Sequence, residues 1–175
     1  IPDTATTLPP GMPMQIPIYY QTLWGSQFQI IPDSVFVNGP SQVSFDAVKF
    51  VDSQPGWFKN YTAFVGNATR RGGEIVNFIA SQFSVSPQVL LALAEYQGKA
   101  LSTPIKPENA DYDLLFKGNN EHKTLSSQLV WAANTLNNGY YSWKNGKLKE
   151  LTHIDSSLER PDPWQNAATV ALQYY

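Results

Sequence analysis

The chain has 175 residues, 42% of them apolar, 13% aromatic and only 15% charged, with a net charge of −2 and no cysteine. That length suits one domain with a real core, and the missing cysteine excludes a disulfide framework and a thiolate metal site. The sparse charge, with no basic run longer than Arg70-Arg71, argues against nucleic acid as the main partner, and no apolar stretch approaches a membrane span. The wealth of Asn, Gln, Ser and Tyr is compatible with carbohydrate.

Residues 1–43 hold Pro2, Pro9, Pro10, Pro13, Pro17, Pro32 and Pro40, which prevents a helix of any length. They read as an extended Pro-rich arm, with strand-like pieces at Ile16-Pro17-Ile18-Tyr19-Tyr20 and Val35-Phe36-Val37. A stiff linker is the alternative, but Tyr19, Tyr20, Trp24, Phe28 and Phe36 favour an arm packed on the body.

The body, 44–175, is expected to be mainly α. Ser44 is placed to cap a helix reaching about residue 52. A second helix is expected over 55–65, where Trp57, Tyr61 and Phe64 are spaced i, i+4, i+7. A third covers 73–83, with Ile75, Phe78, Ile79 and Phe83 in a stripe. The run FSVSPQVLLALAEYQG then predicts a helix from Pro87 to Gly98, with Ser86 as N-cap and proline at the first position. Its apolar stretch Val89-Leu90-Leu91-Ala92-Leu93-Ala94 has no polar face, so it is expected to be the buried central helix. Residues 99–121 lack periodicity, and a loop that long is usually functional or mobile. A helix follows over 124–138, closed by Gly139, then a small β-hairpin over 141–154 turning at Asn145-Gly146. The last helix starts at Asp162-Pro163 and buries Trp164, Ala168, Ala171, Leu172 and Tyr175. The chain begins on Ile1, shows no signal peptide and ends inside an apolar pattern, so it is expected to be a trimmed part of a longer protein.

Glu95, near the end of the apolar helix, invites a catalytic reading, because burial raises a carboxyl toward the range of a general acid. Its alternative is a helix residue that reaches solvent at the helix end or bonds a loop amide. Glycosidases normally need a second carboxylate, and Glu74, Asp111, Asp113 and Glu121 are available. Gln97 is suited to orienting a sugar, or to a buried amide satisfied by backbone. Tyr140, Tyr141 and Trp143 offer rings that stack on sugars, or pack a helix end, while Trp131 reads as core. Two histidines in separate loops, His122 and His153, do not suggest a metal site. No cofactor is expected.

The run Glu74-Ile-Val-Asn-Phe-Ile-Ala-Ser-Gln-Phe-Ser-Val-Ser-Pro-Gln-Val-Leu-Leu-Ala-Leu resembles the opening of lytic transglycosylase and goose-type lysozyme domains, which implies a lysozyme-like helical fold. Laid over that pattern, the family's catalytic Glu falls on Gln97 and its following Ser on Gly98. Glu95 lies two positions earlier, about 200° around the helix. Three further phrases, Leu90-Leu-Ala-Leu-Ala-Glu-Tyr-Gln97, Gln128-Leu-Val-Trp-Ala-Ala-Asn134 with Gly139-Tyr-Tyr141, and Asn166-Ala-Ala-Thr-Val-Ala-Leu-Gln-Tyr-Tyr175, are similar to the domain that precedes a zinc-dependent cell-wall peptidase of the lysostaphin/LasA type in envelope proteins of Chloroflexi-type bacteria. This implies a secreted or cell-envelope protein, a C-terminal peptidase domain in the same polypeptide, and peptidoglycan or a related glycan as partner. No peptidase motif is present in these residues. The leading expectation is a catalytically degenerate glycan-recognition module. An active muramidase or lytic transglycosylase using Glu95, and a structural or inhibitory domain of the peptidase, are the alternatives.

Overall fold

The computed structural model describes residues 19–21, 28–108, 122–153 and 155–175. Within them the fold is mainly α. In chain order the elements are β1 (Tyr19–Gln21), α1 (Asp33–Phe36), α2 (Ala47–Ser53), β2 (Thr62–Val65), β3 (Ala68–Arg71), α3 (Gly72–Phe83), α4 (Pro87–Gly98), α5 (Leu125–Lys144), β4 (Leu151–Thr152), β5 (Leu158–Arg160) and α6 (Ala167–Tyr174). Two 3₁₀ turns, Pro40–Gln42 and Trp57–Asn60, flank α2.

Helices α3 and α5 form the centre of the packing: α5 meets α6, α3 and α4, and α3 also meets α2 and both strands of the β2–β3 hairpin. Leu125, Leu129, Ala132, Ala133 and Leu136 of α5 meet Ile75, Val76 and Ile79 of α3 in one core with Ala168 and Ala171 of α6. Gly139 lies inside α5 rather than closing it. A Cβ there would stand 2.8 Å from Tyr174 Cδ1 and 3.1 Å from Ala171 Cα, so this glycine marks where α5 and α6 approach most tightly. The hairpin expected over 141–154 is displaced accordingly. The helix continues to Lys144, Gly146 takes a left-handed φ of 64° just beyond it, and the antiparallel pair is β4 with β5. Strand β1 joins the other side of β5 in parallel.

Helix α4 occupies the expected positions. Ser86 Oγ accepts from the Gln88 amide at 3.2 Å, and Val89, Leu90, Leu91 and Ala94 are buried. Ala92, Tyr96 and Gln97 are exposed and Leu93 is half-buried, so α4 covers one side of the core. An unbroken apolar run does not require burial all round, since an exposed alanine costs little.

The second expected helix does not form. Pro55-Gly56 leads into the 3₁₀ turn, and residues 62–71 make a β-hairpin with the register Thr62–Arg71 to Val65–Ala68. Its turn residues, Gly66 and Asn67, have φ of 53° and 67°, the two left-handed centres of a type I′ hairpin. Asp46, rather than Ser44, caps α2, its Oδ1 accepting from Val48 and Lys49 amides at 3.1 Å.

The segment around Val35-Phe36-Val37 is a helical turn, with Val37 bridging Val85. It is fastened to α6 from several sides. The Ile30 amide donates to Thr169 Oγ1 at 2.9 Å, and Asn166 Nδ2 donates to the Ile31 carbonyl at 2.8 Å. Gln165 Nε2 donates to the Phe28 carbonyl. Asp33 Oδ1 accepts from the Ala168 amide at 2.9 Å and Asn166 Nδ2 at 3.0 Å, so a residue some 135 positions away caps α6. Trp164, expected on the buried face of that helix, is 83% exposed. Asp162 Oδ1 accepts from its amide at 2.8 Å, and this turn delays the helix to Ala167, leaving Trp164 outside it.

Candidate functional site

The β2–β3 hairpin stands beside the N-terminal half of α5, and between them lie two adjoining clefts. The first, about 820 Å³, is lined by Trp57, Asn60, Tyr61, Thr62, Phe64 and Lys106 among others. The second, about 550 Å³, includes Phe64, His122, Ser127, Val130, Trp131 and Asn134 in its walls. Phe64 and Ser126 belong to both. Both volumes fall in the range of about 300–1,000 Å³ typical of small-ligand sites.

The walls are unusual in composition. Aromatic rings stand beside short neutral hydroxyls and amides, and among the described residues lining the first cleft Lys106 is the one that carries a charge. Its ammonium lies 5.4 Å from the centre of the Tyr61 ring. The ring of Phe64 is 75% exposed although its strand is fixed. Arg70 donates to the Val65 carbonyl and its guanidinium sits 4.5 Å over the Phe78 ring, tying the hairpin to α3. A Cβ at Gly66 would collide with that same ring. An exposed phenylalanine on a braced hairpin forgoes the roughly 1.5–3 kcal/mol that its burial would contribute, and it is held ready rather than left loose.

Glu95 is engaged elsewhere. Its Oε2 accepts from the Leu101 amide at 2.8 Å and the Ser102 amide at 3.2 Å, and its Oε1 accepts from Ser102 Oγ at 2.6 Å. Partial burial pushes its pKa up, but the Ser102 hydroxyl, the two amides and nearby Lys99 outweigh it and hold the carboxyl below its ordinary value. This is a latch that folds residues 99–103 back under α4. Lys99, in a left-handed conformation at the helix end, allows the reversal. Trp57 completes the joint, its Nε1 donating to the Gly98 carbonyl at 3.2 Å. Of the possible second carboxylates, Glu74 accepts from the Arg71 amide at 2.8 Å and caps α3, while Asp111, Asp113 and Glu121 lie outside the described residues.

The other residues singled out in the sequence lie apart from the clefts. Gln97 is exposed on α4. Tyr140 is buried, stacked on Phe36 with centroids 5.1 Å apart, and its hydroxyl donates to Asp33 Oδ2 at 3.3 Å. Burial and the Asp33 charge push its phenol pKa up to about 12. Trp143 Nε1 donates to the Gln165 carbonyl at 2.8 Å. Tyr141, set edge-on to Tyr140, keeps an exposed side. Neither cleft includes Glu95, Gln97, Tyr140, Tyr141 or Trp143 among its lining residues. Sequence reasoning missed Phe64, Thr62, Asn60 and Asn134 as surface groups. The usable signal was Gly66-Asn67, a hairpin turn pair that makes Thr62–Val65 a strand with alternating faces.

The family model described as LasA, N-terminal domain, matches residues 29–175. The chain belongs to that family. Neither a curated protein nor a solved structure matches it. The match to the LasA N-terminal domain begins where the chain is first fastened to α6, at residues 28–33. Among the described residues of this LasA N-terminal domain, no group of three or more His, Cys, Asp or Glu side chains is placed to hold a metal ion. No described helix is long and apolar enough to cross a membrane.

Proposed function

We propose that this LasA N-terminal domain recognises cell-wall glycan without cleaving it, as one part of a secreted LasA-type peptidase. The observation that carries the reading is the pair of adjoining clefts, whose rings and neutral hydroxyl and amide groups match the apolar faces and polar edges of sugars. The engagement of Glu95 supports binding without turnover. A general acid needs a raised pKa and an accessible proton, whereas this carboxyl is held ionised by three hydrogen bonds. The lysozyme-like reading of α3 and α4 is separate from these clefts, since Gln97, at that family's acid position, is exposed on α4 and lines neither of them.

The test is incubation of the purified domain with insoluble peptidoglycan, with co-sedimentation and muropeptide release measured together. Binding that survives high salt, with no muropeptides released, is expected, because the contacts are neutral and little screened. Released muropeptides that disappear in Glu95→Gln with the fold intact would establish catalysis instead. Absence of co-sedimentation would remove the glycan reading.

A further inference from the structure

The two clefts share a wall, and that shared wall is the most exposed aromatic group of the hairpin. Resting on the glycan reading above, we propose that the ligand is an extended glycan strand laid along both clefts and across the Phe64 ring, rather than a single sugar or a stem peptide seated in one of them.

Three observations point the same way. Phe64 and Ser126 line both cavities, so a ligand long enough to leave one enters the other over the phenyl face. Each cavity has the volume of a site for a small ligand of about disaccharide size, and the pair therefore accepts a polymer segment of about twice that length. Among the described residues, the floor on either side of the ridge carries short uncharged groups, with Asn60 and Thr62 before it and Asn134 beyond it. These donate to and accept from hydroxyls and N-acetyl amides at any repeat of a glycan. A stem peptide carries free carboxylates, and among the described lining residues Lys106 is the one lysine or arginine that could pair with them. Rigidity adds to the argument. Phe64 is paired with Thr69 in the ladder and its strand is braced through Arg70, so little backbone freedom is lost when a sugar stacks on it.

The experiment titrates the intact chain with N-acetylglucosamine di-, tetra- and hexasaccharides and with free stem peptides, followed by calorimetry and by tryptophan fluorescence, since Trp57 and Trp131 line the clefts. Affinity is expected to rise at least about tenfold from di- to tetrasaccharide, and stem peptides are expected not to compete. Phe64→Ala is expected to weaken the tetrasaccharide about 3–10-fold, the range of one aromatic stacking contact. Its exposed position leaves the melting temperature nearly unchanged. Thr62→Ala and Asn134→Ala, at opposite ends of the groove and both exposed, are each expected to weaken the tetrasaccharide. Peptidoglycan binding with no dependence on chain length, with Phe64→Ala silent, or with only one of the two end variants affected, would overturn the extended-strand inference while leaving the glycan reading standing. Binding of stem peptides in preference to oligosaccharides would overturn it in favour of a peptide site. No binding of either peptidoglycan or any oligosaccharide would overturn both.

Discussion

Glu95 carries the sharpest prediction at the scale of single residues. Its folded-state pKa lies below its ordinary value of 4.5, so it contributes stability at neutral pH. That contribution is lost as the pH falls below 4.5 and through the folded-state value, where the carboxyl takes up a proton. Glu95→Gln is therefore expected to lower stability by about 1 kcal/mol at pH 7, or about 2–4 °C in Tm for a domain of this size. Thermal melts of the two proteins should converge as the pH drops through that window. A difference that persists unchanged to pH 2 would mean that shape, not charge, holds residues 99–103. Leu90→Ala and Leu93→Ala form a second pair. Leu90 is fully buried and Leu93 only half, so the first is expected to cost about 2–5 kcal/mol and the second about 1 kcal/mol or less in denaturant melts.

At the scale of elements, Gly139 separates two opposing effects. Replacing a mid-helix glycine by alanine ordinarily stabilises by about 1 kcal/mol. Here the new methyl meets Tyr174 and Ala171 at 2.8 and 3.1 Å, and overpacking of this kind costs about 1–3 kcal/mol. The expected outcome is net destabilisation of Gly139→Ala. A gain in Tm would show that α5 and α6 can part without loss. The same glycine explains why the end of α5 was misread. A glycine after an apolar period looks alike in sequence whether it closes a helix or admits a neighbouring one, and only tertiary contact distinguishes them. Helices α3 and α4 were legible because capping and periodicity are local properties: Ser86-Pro87 starts α4, and the Ile75, Phe78, Ile79 stripe marks α3. The 55–65 segment was not, because aromatics spaced by four and three satisfy a helical period while Gly66-Asn67 dictates a turn. The clefts were illegible for a different reason. Phe64 looks like a core residue in any sequence, and its exposure follows from its sharing the outer face of the strand with Thr62 while Val65 turns inward, an alternation that only the turn at Gly66-Asn67 signals.

At the scale of the whole molecule, Asp33 and Tyr140 join α1, α5 and α6. The raised pKa of Tyr140, about 12 against an ordinary 10, means that the unfolded chain releases this proton first. Below pH 10 the buried phenol therefore leaves stability independent of pH, and between pH 10 and 12 stability falls. Tyr140→Phe lacks that sensitivity. It is expected to be less stable than the parent by about 1 kcal/mol at pH 8, through loss of the bond to Asp33, with the difference shrinking above pH 10 and changing sign before pH 12, because each unit of pKa difference is worth about 1.4 kcal/mol. Asp33→Ala removes both the cap of α6 and the acceptor of Tyr140. It is expected to cost about 1–2 kcal/mol, measurable by urea unfolding.

The fastening of residues 28–33 to α6 also sets an order of events in time. Its bonds span from 133 to 139 positions of sequence, as far as the pairing of β1 with β5, and closing loops of that length is entropically demanding. A chain that emerges from a ribosome or a membrane channel with its amino end first can assemble α2 to α4 from local contacts. The first segment must nevertheless wait for the last helix before either is secured. Until α6 arrives, α1 and the face of α5 around Gly139 lack their cover. A domain built in this way fixes its native packing only once its own synthesis or passage has reached the far end.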